Sequence, residues 1–288
     1  MHRGLVIAVV MLCVSVENAH AQVCRVAEGT NEAKLLAFYT APLSFSMATA
    51  PRVTEAGYIR LGAELEYVPK PDPALEQTGA CFTQKSEETS LSPVFGRPRI
   101  TIGIPLGFTI ELAYLPPITI ARATPNLFSF AVAHASNFSF GPRGGTTLML
   151  RGHGTYGTVK GPITCPSGSL QQTTPTGPCY GTEPSEDTFR PNMFGGEIAL
   201  GISPTSRGIS VYAGAGANRI DPHFRVGFTD LTGFVDTTRV ELQEPMTRAT
   251  VFGGVTAVVR QAFDIGAQIY SVPADATLFR LMGGFRFR

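Results

Sequence analysis

The sequence predicts an all-β fold: a closed antiparallel transmembrane β-barrel of about ten strands, with eight or twelve as open alternatives. Three observations predict it. Apolar residues recur at every second position, charges keep to the opposite parity, and the alternating runs are long enough to cross a bilayer when tilted.

Residues 100–114 show the first observation most clearly. The even positions from Ile100 to Tyr114 are all large and apolar, whereas the odd ones are Thr101, Gly103, Pro105, Gly107, Thr109, Glu111 and Ala113. A period of two marks a strand with two unlike faces. The pattern returns at Ile59–Tyr67, at Ile209–Ala217, at Phe263–Ile269 and in the last stretch, where Phe279, Leu281, Phe285 and Phe287 share one parity.

Charge placement is the second observation. Arg60, Glu64, Glu66, Glu111, Arg151, Glu197, Asp264, Arg280 and Arg286 all lie opposite the apolar face, and His153 shares the face of Arg151. A soluble sandwich alternates too, but here the polar face is thinned by Gly103, Gly107, Gly214, Gly216, Gly254, Gly266 and Gly284, as suits an enclosed lumen. Length is the third: the runs exceed the usual five or six residues and reach the roughly 9 to 11 that a transmembrane strand needs. A closed barrel is the one β arrangement that leaves no unpaired backbone in hydrocarbon.

Expected strands are 35–48, 57–68, 98–114, 127–139, 145–160, 191–203, 207–219, 247–260, 262–271 and 277–288. Ile104 is expected at mid-membrane. With the C-terminus periplasmic, the short connections 140–145, 204–208 and 260–261 fall inside, and the long segments 161–190 and 220–246 fall outside. The connection 69–97 is long for a periplasmic turn, so it could fold inward as a plug, cover the mouth or mark a miscounted strand. His134 is a second irregularity, since it shares the face of Phe128, Phe130 and Val132.

The amino terminus sets the compartment. His2 and Arg3 precede an apolar run, and "AHA" at 19–21 is a small-x-small cleavage site, so 1–21 reads as a cleaved secretory signal. Residues 22–33 then form an N-terminal periplasmic segment and 34–288 the barrel. Cys13 leaves with the signal. Pairing Cys24 with Cys81 on the periplasmic side and Cys165 with Cys179 in one outer loop is the one connectivity that never crosses the membrane.

A cleavable signal, repeated amphipathic strands and the alternating aromatic end "FRLMGGFRFR" resemble bacterial outer-membrane β-barrel proteins. The resemblance is to a class and covers the chain from about residue 34 onward. It implies a place in the outer membrane, with its lipid and the barrel-assembly machinery as partners. Phe287 is followed by Arg288 and the chain has no Trp, so Phe and Tyr would form the interfacial girdles.

Chemistry is sparse. The lumen-lining set is Arg60, Glu64, Glu66, Glu111, Arg151, His153, Glu197, Asp264 and Arg280. His153 near Glu197 could act as a general base, but charges in a narrow interior must neutralise one another, and mutual pairing is the stronger expectation. No hydrolase triad, phosphate loop or zinc spacing is present, and no cofactor or metal is expected. Asp221, Asp230, Asp236, Glu241 and Glu244 could bind a divalent ion at the outer rim, although scattered loop carboxylates usually serve solubility. A formal net charge of +1 argues against nucleic acid. The expected function is a small channel or uptake barrel for a small solute or ion. A structural or surface-interaction barrel acting through its outer loops is the alternative, and an outer-membrane enzyme is the least supported.

Overall fold

The computed structural model describes residues 22–81, 85–86, 94–139, 145–203, 208–260 and 262–287; the expected signal segment and parts of several connections lie outside them. Ten strands form the wall: β1 (Ile59–Tyr67), β2 (Val94–Ile104), β3 (Phe108–Leu115), β4 (Thr124–Ser139), β5 (Gly145–Gly161), β6 (Met193–Ser203), β7 (Ile209–Ile220), β8 (Met246–Arg260), β9 (Phe263–Val272) and β10 (Ala276–Arg286). Each pairs antiparallel with the next, and β10 returns to β1 from Phe279↔Tyr67 to Arg286↔Arg60. Closure leaves the barrel wall without a free edge. The short connections after β2, β4, β6 and β8 share one end, the turn end, with the carboxyl terminus. The long connections gather at the other, the loop end.

Ten strands agree with the expectation, but by two offsetting differences. Residues 98–114 are two strands, because Pro105–Gly107 is a tight turn with Leu106 at φ 65° and Gly107 at φ 75°. Ile104 pairs with Phe108 across it, so three turn residues pass unnoticed by the alternation and the parity resumes unbroken. Ile104 therefore lies beside the turn rather than at mid-membrane. His134 pairs with Phe108 at this same end, its ring 4.7 Å from the phenyl, on the outer face.

Residues 35–48, in contrast, are not a wall strand. Asn31–Thr40 form helix α1, started by Thr30, whose hydroxyl accepts from the Ala33 amide. The helix is apolar around much of its circumference because it is buried on many sides. Pro42 follows in a short 3-10 turn, and from Ser44 the chain runs extended down the barrel axis. Almost every residue from Ala33 to Ala50 is buried. This internal segment fills the lumen; of the connection 69–97, residues 82–84 and 87–93 lie outside the described residues.

The hidden hairpin also reverses every crossing on its amino-terminal side. Residues 22–33 thus lie at the loop end, where Val23–Val26 pairs in parallel with Arg239–Leu242, and not at the end expected for a periplasmic segment. Cys24 and Cys81 move with them to the same end as Cys165 and Cys179. Within 34–288, the stretch up to residue 58 is lumen filling and exit segment rather than wall.

Outward positions make an apolar belt that includes Leu61, Leu65, Leu150, Ile198, Leu200 and Leu281, all exposed. Exposed aromatics bound it on both sides: Tyr67, Tyr114, Phe128, Tyr156, Phe194 and Phe279 toward the loop end, Phe108, Phe138, Phe263, Phe285 and Phe287 toward the turn end. The strand spacing from Phe194 to Ile202 sets a belt height of about 20 Å at a ~40° tilt, close to the ~25 Å of membrane barrels.

Candidate functional site

The lumen is the most elaborate constellation in the molecule. Alternation turns the nine expected lumen residues inward, and each is buried: Arg60, Glu64, Glu66, Glu111, Arg151, His153, Glu197, Asp264 and Arg280. They form three groups along the axis. At the turn end Asp264 receives Arg60 at 2.6 Å and Arg286 at 2.7 Å. In the middle, Glu64 binds Arg97 and, at 2.7 Å, Arg99. Arg99 reaches on to Glu111 at 3.1 Å, and Arg151 bridges Glu111 at 3.1 Å and Glu197 at 3.2 Å. Toward the loop end Arg280 pairs with Glu66 at 2.8 Å.

Arg97 and Arg99 were not in the expected set. Both share the inward parity of Thr101: Arg99 lies inside the expected strand 98–114, and Arg97 lies just before its start because the observed strand begins at Val94. With them, the wall holds five buried arginines (60, 97, 99, 151 and 280) against five buried carboxylates (64, 66, 111, 197 and 264). Charges removed from water require such matching, because an unpaired one costs several kcal/mol. Glycines make room for them: a Cβ on Gly284 would collide with the Arg60 guanidinium carbon, and one on Gly62 would fall 2.6 Å from its Nη1.

The arginines also hold the internal segment. Leu43 O accepts from Arg97 Nη1 (3.3 Å) and Thr155 Oγ1 (2.9 Å), and Ser44 O from Arg97 and Arg280 Nη2 (both 3.1 Å). Phe45 O accepts from Arg151, Ser46 O from Arg99 at 2.5 Å, and Met47 O from Gln268 at 3.3 Å. Five consecutive carbonyls, from the last residue of the 3-10 turn into the extended chain, have no neighbouring strand and are thus satisfied by wall side chains. The Phe45 ring is fully buried between guanidinium groups, with those of Arg99, Arg97 and Arg151 at 4.0, 4.8 and 5.2 Å from its centroid. Ser44 Oγ lies 2.7 Å from Tyr270 OH and 3.2 Å from Asn218 Nδ2. Toward the turn end the Ala50 amide donates to Thr256, and Thr54 Oγ1 is 2.8 Å from Thr109 Oγ1. His153 Nε2 is 3.6 Å from Glu197 Oε1, inside this filled interior.

Loop-end segments build a cap on the wall. Asp187–Arg190, His223–Arg225, Arg239–Leu242 and Val23–Val26 extend the sheet beyond β5 in that order. Its inner face, with Val159, Phe189, Phe224 and Val240, packs with Leu36 and Leu43 of the internal segment. Disulfides join Cys24 to Cys81 and Cys165 to Cys179, with Cα separations of 5.7 and 5.3 Å. Glu32 Oε1 accepts from the amides of Gly79 (2.8 Å) and Ala80 (2.6 Å), docking α1 beneath the 68–81 stretch. Asp187, unmarked by any sequence motif, is the main pin. It accepts from the amides of Ile163, Thr164 and Gly227 and from the Ser185 and Thr164 hydroxyls.

The loop carboxylates do not converge. Asp221 lies 3.5 Å from His223, Glu241 sits on the cap sheet, and Asp230 caps its own hairpin. The Thr232 hydroxyl, helped by the amides of Phe234, Thr232 and Gly233, holds the Asp230 carboxyl below its usual range. Among the described residues no three metal-ligating side chains cluster.

No protein-family model and no curated relative matches the chain. Among solved structures it is similar to the attachment invasion locus protein Ail of Yersinia pestis, with 10% identity, a TM-score of 0.30, and coverage of 81% of this chain and 100% of that one. The outer membrane protein Omp33 of Acinetobacter baumannii gives 10% identity, a TM-score of 0.29, and coverage of 82% and 100%. The toluene transporter TodX of Pseudomonas putida gives 10% identity, a TM-score of 0.28, and coverage of 93% and 78%. The architecture resembles that class, bacterial outer-membrane β-barrels, and strand closure is what carries the assignment.

Proposed function

We propose that this chain is a non-catalytic barrel of the bacterial outer membrane, exported by a cleaved signal. In this reading its own amino-terminal segment seals the lumen, and its interactions are made by the loop-end cap. The apolar belt between two aromatic rings supports insertion in a bilayer, with outer-membrane lipid and the assembly machinery as partners. The observation that carries the sealed-lumen reading is the capture of five consecutive carbonyls, Leu43 to Met47, by wall side chains. Hydrogen bonds to charged donors contribute roughly 1.5 to 3 kcal/mol each, and removing the segment would leave buried arginines short of partners. Passage of small solutes or ions would need that displacement. This favours surface interaction over the channel or uptake role first expected.

Conductance across a planar bilayer tests it. Refolded native protein should show no steady ion-selective current. A steady current from the intact, folded protein would restore the channel reading.

A further inference from the structure

The cap sheet has a second face, and its residues follow from the register. One cross-strand row reads Lys160, Thr188, Arg225, Arg239; the next reads Arg190, His223, Glu241, Arg25. The back of the same strands is the apolar face packed on the cap core, so this basic face cannot turn inward. Lys160, Arg190, Arg225, Arg239 and Arg25 are all exposed, and none makes an ion pair among the described residues. Arg225 stands directly opposite Arg239 in an antiparallel pair. Like charges so placed destabilise a sheet unless something neutralises them. The acidic groups nearby are Glu241 within the rows, Asp221 beside His223, and Glu183, Glu186 and Asp230, which line a cleft of about 520 Å³ together with Lys160 and Arg225.

Height supplies the partner. Tyr156 and Lys160 share the outward parity of β5, and four residues span about 13 Å along a strand, or about 10 Å along the axis at a ~40° tilt. Tyr156 belongs to the aromatic ring that bounds the belt. The polar layer of a bilayer extends about 5 to 8 Å beyond the hydrocarbon on each side. The Lys160 row thus stands at the outer edge of this layer, on the surface continuous with the one that meets the acyl chains, and its long Lys and Arg side chains can reach back the remaining few ångströms to the headgroups.

We infer that the outer face of the cap sheet, centred on Lys160, Arg225 and Arg239, binds phosphate-bearing anionic lipid headgroups of the leaflet at the loop end. The inference rests on the reading of the belt as bilayer-embedded.

The test compares native protein with the triple variant Lys160→Gln, Arg225→Gln, Arg239→Gln and with Lys70→Gln, an exposed loop control. Each is reconstituted into phosphatidylcholine vesicles with or without diphosphoryl lipid A, extracted mildly, and assayed for co-purifying lipid A by mass spectrometry. Heat-modifiability gels confirm folding. Native and control proteins should retain lipid A, and the triple variant should retain less by about fivefold per charge removed, with the difference shrinking at high salt. Equal retention by native and triple variant overturns the inference. So does retention abolished by soluble pyrophosphate at equal phosphate concentration, which would mark a site for free anions. Failure of all three proteins to insert into phosphatidylcholine overturns the membrane reading and this inference with it.

Discussion

Glu64 and Arg97 are register partners across the β1–β2 ladder, and their ion pair is also the clamp on the internal segment, because the same guanidinium donates to Leu43 and Ser44 carbonyls. Wall pairing and lumen filling are thus one network. A substitution in either should be felt in both.

Phe45→Ala is the most direct single change to the filling. The ring is fully buried beneath three guanidinium groups, so its loss leaves a cavity and exposes their faces. We expect a cost of about 3 to 5 kcal/mol in urea-refolding equilibria. A change below about 1 kcal/mol would mean that the segment is not packed there.

Position along the belt should control the cost of an outward charge. Ile198, midway along β6, should lose about 2 to 4 kcal/mol when changed to Arg, whereas Ile104→Arg, beside the Pro105–Gly107 turn, should lose about 0 to 1 kcal/mol. Folding yields into vesicles of matched thickness would check the order. Equal losses would contradict the depth assigned to Ile104.

Asp187→Asn should loosen the cap and spare the barrel. An amide retains one acceptor oxygen for five donors and adds an NH2 facing them, so buried amides of Ile163, Thr164 or Gly227 lose a partner at about 1 to 3 kcal/mol. Limited proteolysis should then cut within 162–192 or 221–245 while the folded-barrel gel band persists.

Removing the Cys24–Cys81 bridge by Cys24→Ser and Cys81→Ser should release residues 22–30 to proteases first. The bridge closes a span of 57 residues, worth about 3 to 5 kcal/mol on the chain-entropy model. Buried anchors from Leu43 to Met47 should keep the lumen filled, which proteolysis followed by mass spectrometry would show.

Much of this molecule was legible as a pattern of faces. Period-two alternation placed Arg60, Glu64, Arg280 and their fellows inward because a wall strand between two unlike media must alternate. Both cysteine pairs were also legible. What misled was the assumption that alternation ends at a turn. A three-residue turn between Ile104 and Phe108 preserves parity, so "PLG" with its positive-φ glycine was the only mark of a hairpin. Residues 35–48 misled for the converse reason. A segment buried on most sides is largely apolar, and the extended run from Ser44 onward imitates a wall strand. Nothing local reveals that its carbonyls are bound by arginines 50 to 240 residues away in the chain.

Residues 31–58 thread the barrel from the loop end to the turn end. A Cβ on Gly201 would lie 3.4 Å from the Pro51 Cβ, close to the separation a disulfide needs. The deciding measurement is therefore oxidation of the Pro51→Cys, Gly201→Cys variant in the folded state, with peptide mapping by mass spectrometry. The threaded barrel predicts a disulfide-linked peptide joining positions 51 and 201 in high yield, with both native disulfides intact. A folded barrel in which both new thiols stay free and reactive toward a membrane-impermeant label would contradict it.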